Sequence, residues 1–187
     1  MKRVQNFHVE LGVILSSIEL RNISVALNFG DNMMDPIDYL SLSALLRKYQ
    51  PASVLEIGTF RGTTSNLILD TLPHAYVVSV SIDNSSDFNN QIRRWRIGEN
   101  ISEDNKNRFT QIIANSHDLR QHSIIEDYGR FDMVFIDGDH TYDGVKQDTE
   151  LAESILHEGG VIVWHDANPK EKYKDVERFI SDYSKEK

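Results

Sequence analysis

The stretch Val54-Leu55-Glu56-Ile57-Gly58-Thr59-Phe60-Arg61-Gly62-Thr63-Thr64-Ser65 constrains this chain more than any other. A short apolar run ends in an acid, passes through a glycine-bearing turn and reaches hydroxyl residues able to open a helix. That is the strand–loop–helix start of a nucleotide-binding α/β unit. A dinucleotide fold uses G-x-G-x-x-G so that the backbone can approach a pyrophosphate at the helix N-terminus. Here Phe60 stands where the second glycine would be, and the acid precedes the turn. Such a loop suits a ligand carrying an amino acid and an adenosine but no phosphate, which points to S-adenosylmethionine rather than a nicotinamide dinucleotide.

The rest of the chain repeats the alternation. Asp35-Pro36 reads as an N-cap with proline at the first helical position, and Leu42, Leu45, Leu46 and Tyr49 give that helix its face before Pro51. Strands are predicted at 53–57, 76–80, 109–113, 131–136 and 161–164. A helix from about Thr63 should end at Leu72, just before Pro73. Others are predicted to carry Phe88, Ile92 and Trp95, to lie near 118–127, and to present Val145, Thr149, Ala152 and Leu156 until Gly159-Gly160 closes the turn. Asn168-Pro169 should cap a last helix with Val176, Phe179, Ile180 and Tyr183 inside. Five strands alternating with helices call for a doubly wound, mostly parallel α/β sheet. Residues 1–34 read as an N-terminal extension, an edge strand or substrate cap in which Ile23, Val25, Leu27 and Phe29 alternate. Residues 35–187 form the ligand-binding α/β domain.

At 187 residues the chain can build one sizeable core. No run approaches the ~18 apolar residues of a membrane span, and the first residues lead into no secretory apolar segment, so a cytoplasmic protein is expected. The absence of cysteine excludes disulfides and thiolate metal sites. A formal charge of −9 disfavours a nucleic-acid partner. The basic cluster Arg93-Arg94-Trp95-Arg96 reads as a solvated helix face. An uncovered parallel sheet edge would invite association, so a homo-oligomer is an expectation.

Ligands of such sheets bind beyond the carboxyl ends of the strands. The polar residues predicted there are Glu56, Asp83, Asn115-Ser116, Asp137-Gly138-Asp139-His140 and His165-Asp166. If the fourth and fifth strands are neighbours, Asp137 and Asp166 meet at one rim. Two hard oxygen ligands without cysteine suit Mg²⁺ or another divalent cation better than zinc. The alternative is that each acid caps the helix after it.

These residues carry a resemblance. The segment from Glu56 to Ser65 resembles motif I of class I S-adenosylmethionine-dependent methyltransferases, in the E-[IL]-G-x-[FY]-x-G form of catechol and caffeoyl-CoA O-methyltransferases. Phe135-Ile136-Asp137-Gly138-Asp139-His140-Thr141-Tyr142-Asp143-Gly144-Val145, followed by Gly159-Gly160-Val161-Ile162-Val163-Trp164-His165-Asp166, is similar to the bacterial subgroup of macrocin-type sugar O-methyltransferases and cephalosporin-hydroxylase-like proteins. The resemblance implies a Rossmann-like fold and S-adenosyl-L-methionine as cofactor. It implies that Glu56 neutralises the methionine ammonium above the Gly58-Thr59-Phe60 and Gly62 turn. Asp83, Asn115, Ser116 and Asp137 would complete the cofactor rim, with a helix-capping role for Asn115 and Ser116 equally open. Asp137 and Asp166 would hold the metal, and His140 falls where the catechol enzymes place a catalytic lysine. An imidazole of ordinary pKa ~6.5 can take a hydroxyl proton at neutral pH.

Three positions depart from the pattern. Ser81 stands where an acid often binds the ribose, so Asp83 would have to reach back. Ala167 replaces the asparagine that completes the metal shell, leaving His165, Asn168 or Asp139 as third ligand. The usual closing antiparallel strand pair has no counterpart before Lys187, so either the chain continues or Ile23–Phe29 covers that edge. Three functions follow in order: metal-assisted methyl transfer to a small-molecule hydroxyl, S-adenosylmethionine binding without catalysis, and a nicotinamide oxidoreductase, which Phe60 disfavours.

Overall fold

The apolar runs become five parallel strands: β1 (Ser53–Ile57), β2 (Tyr76–Ser81), β3 (Phe109–Ile113), β4 (Phe131–Ile136) and β5 (Leu156–Trp164). Their order in the sheet is β3-β2-β1-β4-β5. The computed structural model describes residues 36–82, 96–121, 126, 128–167 and 173–186. Helices α1 (Pro36–Tyr49), α2 (Thr63–Thr71), α3 (Tyr142–Ile155) and α4 (Lys174–Glu186) alternate with the strands, and short 3-10 turns cover Glu103–Arg108 and Ser116–Gln121. The extension before Pro36, with its alternating Ile23–Phe29, lies outside the described residues. So do Asp83, the segment of Phe88, Ile92 and Trp95, and Asn168-Pro169.

Strand periodicity divides the core between the two faces of the sheet. Leu55, Ile57, Val78, Val80, Val134 and Ile136 face Leu151, Ala152 and Ile155 of α3. Val54, Val77, Met133 and Phe135 face Leu42 and Leu46 of α1 and Leu67, Ile68 and Leu69 of α2. With both faces covered, every residue of β1 is buried, which is why the central strands read as near-continuous apolar runs. On the outer layer, Val176, Phe179 and Tyr183 of α4 pack against Val145 of α3, with Ile180 and Trp164 beside them. None of the helices among the described residues is long and apolar enough to cross a membrane.

Three local expectations are corrected. Leu156, expected on the inner face of α3, is the first residue of β5 and pairs with Phe131, so the helix ends at Ile155. Gly159, at φ 82°, lies within β5, where the pairing shifts register between Phe131 and Met133. Glycine marks an irregularity in the strand here and does not close the helix. Tyr49 is exposed at the last turn of α1, where Tyr39 and Ala44 are buried instead.

The chain winds from β1 outward through β2 to β3 in one direction and through β4 to β5 in the other. The connections after β1 and β4 therefore leave on opposite faces, and a crevice opens between their carboxyl ends. The candidate residues fall at that crevice.

Candidate functional site

The loop after β1 is fixed by close backbone contact with the end of β4. Gly58 donates its N–H to the carbonyl of Val80 (2.8 Å), and Asp137 donates its own to the carbonyl of Ile57 (2.8 Å). At φ 103° Gly58 occupies a conformation side chains rarely adopt, and a Cβ there would lie 2.0 Å from the Asp137 carbonyl oxygen. Gly62, at φ 82°, opens α2, and Phe60, at φ 44°, turns its ring to the surface.

Beneath this loop Glu56 is fully buried. Its Oε2 accepts hydrogen bonds from the Ser65 and Ser79 hydroxyls, while Oε1 has no hydrogen-bond partner among the described residues. Ser79 also shares a hydrogen bond with Thr59 Oγ1 (2.7 Å), to which Gln111 Nε2 donates (2.9 Å). Burial pushes the Glu56 carboxyl up to about 7, against the pull of the two serines, and the charge of Asp137 adds to the rise. A buried acid with one oxygen held by hydroxyls and the other unpaired is suited to receive a cationic donor.

The loop after β3 bears Asn115 and Ser116. Asn115 is exposed and its Oδ1 accepts from the N–H of His117 (3.1 Å), a local turn. Ser116 is buried and donates to Asp148 Oδ1 (2.6 Å), an acid of α3.

The acids at the ends of β4 and β5 do converge. Asp137, His140 and Asp166 each offer a ligand atom, and these atoms lie within 4.8 Å of one another. His140 Nε2 is 2.8 Å from Asp166 Oδ2 and 3.3 Å from Asp137 Oδ1, and its ring stacks on Tyr173 at 4.1 Å. His165 Nδ1 approaches the same two carboxylates at 3.1 and 3.3 Å, and its Nε2 lies 3.4 Å from Asp38 of α1. These are ion-pair distances, and neither ring nitrogen of His165 completes a well-angled hydrogen bond. Burial opposes a charge on His165, but Asp137 and Asp38 outweigh it and push the imidazole up to about 11. His140 is raised by Asp137 against its own burial. Asp137 is lowered, because the two histidines overcome the cost of burying it. Among the other third ligands expected, Asp139 engages the start of α3: its Oδ1 accepts from Thr141 N–H (2.9 Å), and it packs where a Cβ on Gly144 would intrude. Asn168 and Asp83 lie outside the described residues.

Sequence reading missed Ser65 and Ser79 beneath Glu56, Asp38 beside His165, and Asp148 beneath Ser116. Asp148 carries the only local signal. It falls three residues after Val145 and next to Thr149, which puts an acid on the helix's buried face.

A parallel sheet in this order, with an acid and a glycine turn ending its first strand, defines a class I S-adenosylmethionine-dependent methyltransferase fold. The chain belongs to the methyltransferase domain family, which it matches over residues 55–167. No curated protein matches it. Among solved structures it is similar to an O-methyltransferase from Bacillus cereus crystallised with SAH, at 20% identity and a TM-score of 0.61 over 91% of this chain and 76% of that one. It also resembles the O-methyltransferase TomG from Streptomyces achromogenes, in complex with SAM: 20% identity, TM-score 0.57, over 79% of this chain and 68% of TomG. MycE of the mycinamycin biosynthetic pathway aligns at 20% identity and a TM-score of 0.51, over 67% of this chain and 33% of MycE. At such identities the likeness carries the fold.

Proposed function

We propose that this protein transfers a methyl group from S-adenosylmethionine to a hydroxyl of a small molecule, assisted by a divalent cation. The observation that carries the reading is Glu56, a fully buried carboxylate with an unpaired Oε1 under the glycine turn. It lies one strand from Asp137. Glu56 would accept the ammonium of the methionine moiety, with Gly58 and Gly62 allowing the backbone to come close and Ser116 at the far end of the rim.

The residues at the ends of β4 and β5 suit a divalent ion: two carboxylates and an imidazole present an oxygen-rich donor set at ligand spacing. Asp137 and Asp166 would hold it, with His165 beside them, which leaves His140 for the proton. A cation there lowers the pKa of an acceptor hydroxyl. MycE, crystallised with Mg, SAH and mycinamycin VI, is a fold relative with such an ion. In the reaction the acceptor oxygen forms a bond to the methyl carbon as the carbon–sulfur bond breaks, and the electron pair stays on sulfur. His140, at the rim and braced by Tyr173, would take the hydroxyl proton on Nε2. The loops would orient the two reactants, which is where much of such a barrier is removed.

A second reading, cofactor binding without catalysis, is favoured by one observation. His140 Nε2, the atom required as base, is 2.8 Å from Asp166. The test is calorimetry with SAH, then transfer of labelled methyl to a panel of catechols, phenols and sugars with and without Mg²⁺. SAH binding with metal-dependent transfer supports the first reading, and SAH binding without transfer to any acceptor supports the second. A folded protein that binds neither SAH nor S-adenosylmethionine refutes both.

A further inference from the structure

Gln111 of β3 is a polar residue that the reaction above does not use. By strand alternation it shares a face with Phe109, which packs against the core over α1 and α2. An apolar residue there would continue that face. The register aligns Glu56 with Ser79 and Ser79 with Gln111, so these polar side chains stand in one row across β1, β2 and β3. The Gln111 amide nitrogen meets the carbonyls of Ser79 (3.0 Å) and Ile112 (3.1 Å) and the hydroxyl Oγ1 of Thr59 (2.9 Å). Carbonyls only accept, so the nitrogen, and not the amide oxygen, is the end that faces Thr59. Gln111 Oε1 is buried with no hydrogen-bond partner among the described residues. Leaving that oxygen unpaired carries a cost, and the donor end is what the position uses.

These bonds give the row a direction. Gln111 Nε2 can only donate, and an ionised Glu56 can only accept. Thr59 Oγ1 receives the amide proton and so turns its own proton to Ser79 Oγ, 2.7 Å away, and Ser79 donates to Glu56 Oε2. Each hydroxyl proton thus points toward the acid, and hydrogen bonds aligned head to tail strengthen one another. We propose that Gln111 is a positioning residue for Glu56, acting through Thr59 and Ser79 to hold Oε2 of the ionised acid and leave Oε1 for the ligand's ammonium. The proposal rests on the S-adenosylmethionine reading. Thr59, Ser79 and Glu56 are all buried, so a donor lost from the row is not readily replaced by solvent.

The experiment uses the full chain and calorimetry with two probes, SAH and 5′-methylthioadenosine, which lacks the amino-acid end. Gln111→Met removes the donor at similar volume, and Thr59→Val removes the hydroxyl at similar shape. Each should weaken SAH by about 5-fold and leave 5′-methylthioadenosine bound within about twofold of the parent protein. Thr59→Ser, which keeps the hydroxyl, should recover the SAH affinity that Thr59→Val loses. In a Glu56→Gln background Gln111→Met should weaken SAH by less than about twofold, because the row then ends on a neutral amide. Should Thr59→Val fail to fold, Gln111→Met still decides, since Gln111 is only half-buried and β3 ends the sheet among the described residues. A folded Gln111→Met protein that binds SAH within about twofold of the parent overturns the proposal. Equal loss of both probes, or a loss that persists undiminished in the Glu56→Gln background, overturns it too, since Gln111 would then support the loop and not the acid. Failure of the parent protein to bind SAH overturns the underlying reading and is seen before any variant is made.

Discussion

Glu56→Gln should stabilise this protein and disable it together. The Glu56 carboxyl rises from its ordinary 4.5 to about 7 because it is fully enclosed, and two serine hydroxyls do not compensate for the lost water. The folded state therefore favours the protonated acid. Below pH 4.5 folded and unfolded chains both carry the proton. Between pH 4.5 and 7 the unfolded chain releases it while the folded chain keeps it, so stability falls by up to about 1.4 kcal/mol per pH unit. Above pH 7 both are ionised, and the accumulated loss levels off at about 3 kcal/mol. Glutamine has the same shape, its carbonyl can accept from Ser65 and Ser79, and it never ionises. The stability of Glu56→Gln relative to the parent should therefore grow by about 3 kcal/mol between pH 4.5 and 7.5. Urea denaturation across that range measures it directly, and the melting temperatures at pH 7.5 should differ by roughly 6–12 °C. In the same variant SAH should bind about 10²-fold more weakly at pH 7.5, since its ammonium loses a countercharge. A stability difference between the two proteins that does not change with pH would refute the reasoning, whatever happens to binding.

Three further outcomes are expected. Gly58→Ala should abolish folding or cost more than about 4 kcal/mol by thermal melting, because its methyl group would meet the Asp137 carbonyl oxygen at 2.0 Å in a left-handed backbone; a melting curve like the parent's would show that the β1–β4 contact is looser than described. Asp137→Ala and Asp166→Ala should each remove Mn²⁺ binding followed by electron paramagnetic resonance, Asp166→Ala while SAH still binds, and unchanged Mn²⁺ affinity in both would leave the acids as structural partners of His140 and His165. His140→Ala should reduce turnover about 10²–10⁴-fold with little change in SAH affinity, and full turnover would remove it as the base.

The sequence made the sheet legible because its central strands β1 and β4 are short, mostly apolar runs that end at a glycine turn or an acid. The positions of Glu56, Asp137 and Asp166 follow once those strands are parallel, since acids that end parallel strands share one rim. The gaps have physical causes. Leu156 keeps the spacing of a helix face, yet the chain leaves the helix at Ile155, and periodicity alone cannot tell a last helical residue from a first strand residue. Asp38 meets His165 through the packing of α1 on the sheet, a tertiary contact with no local signature. Which histidine approaches which acid depends on the path of the loops after β4 and β5, and both rings come within about 3 Å of the same carboxylates.

The acids at the rim fall into two electrostatic kinds, and the difference tells their tasks apart. Asp137 and Asp166 lie against imidazoles, and the two histidines hold the Asp137 carboxyl below its ordinary value. Glu56 and Asp148 each accept from a hydroxyl, each has one oxygen without a hydrogen-bond partner among the described residues, and both are raised by burial, although His117 lies beside Asp148. They flank the place where Gly58 and Gly138 bring the β1 and β4 loops together, Glu56 two residues before Gly58 and Asp148 against Gly138. Fold stability alone would replace Glu56 with a neutral or apolar side chain, since no countercharge among the described residues offsets its burial. A ligand carrying an ammonium would give Glu56 a use by direct contact. On that account Glu56→Gln should weaken SAH, which carries the ammonium, and leave 5′-methylthioadenosine, which lacks the amino-acid end, bound as in the parent protein. Equal loss of both ligands in that variant would mean that the acid supports the loop generally and does not read the amino-acid end.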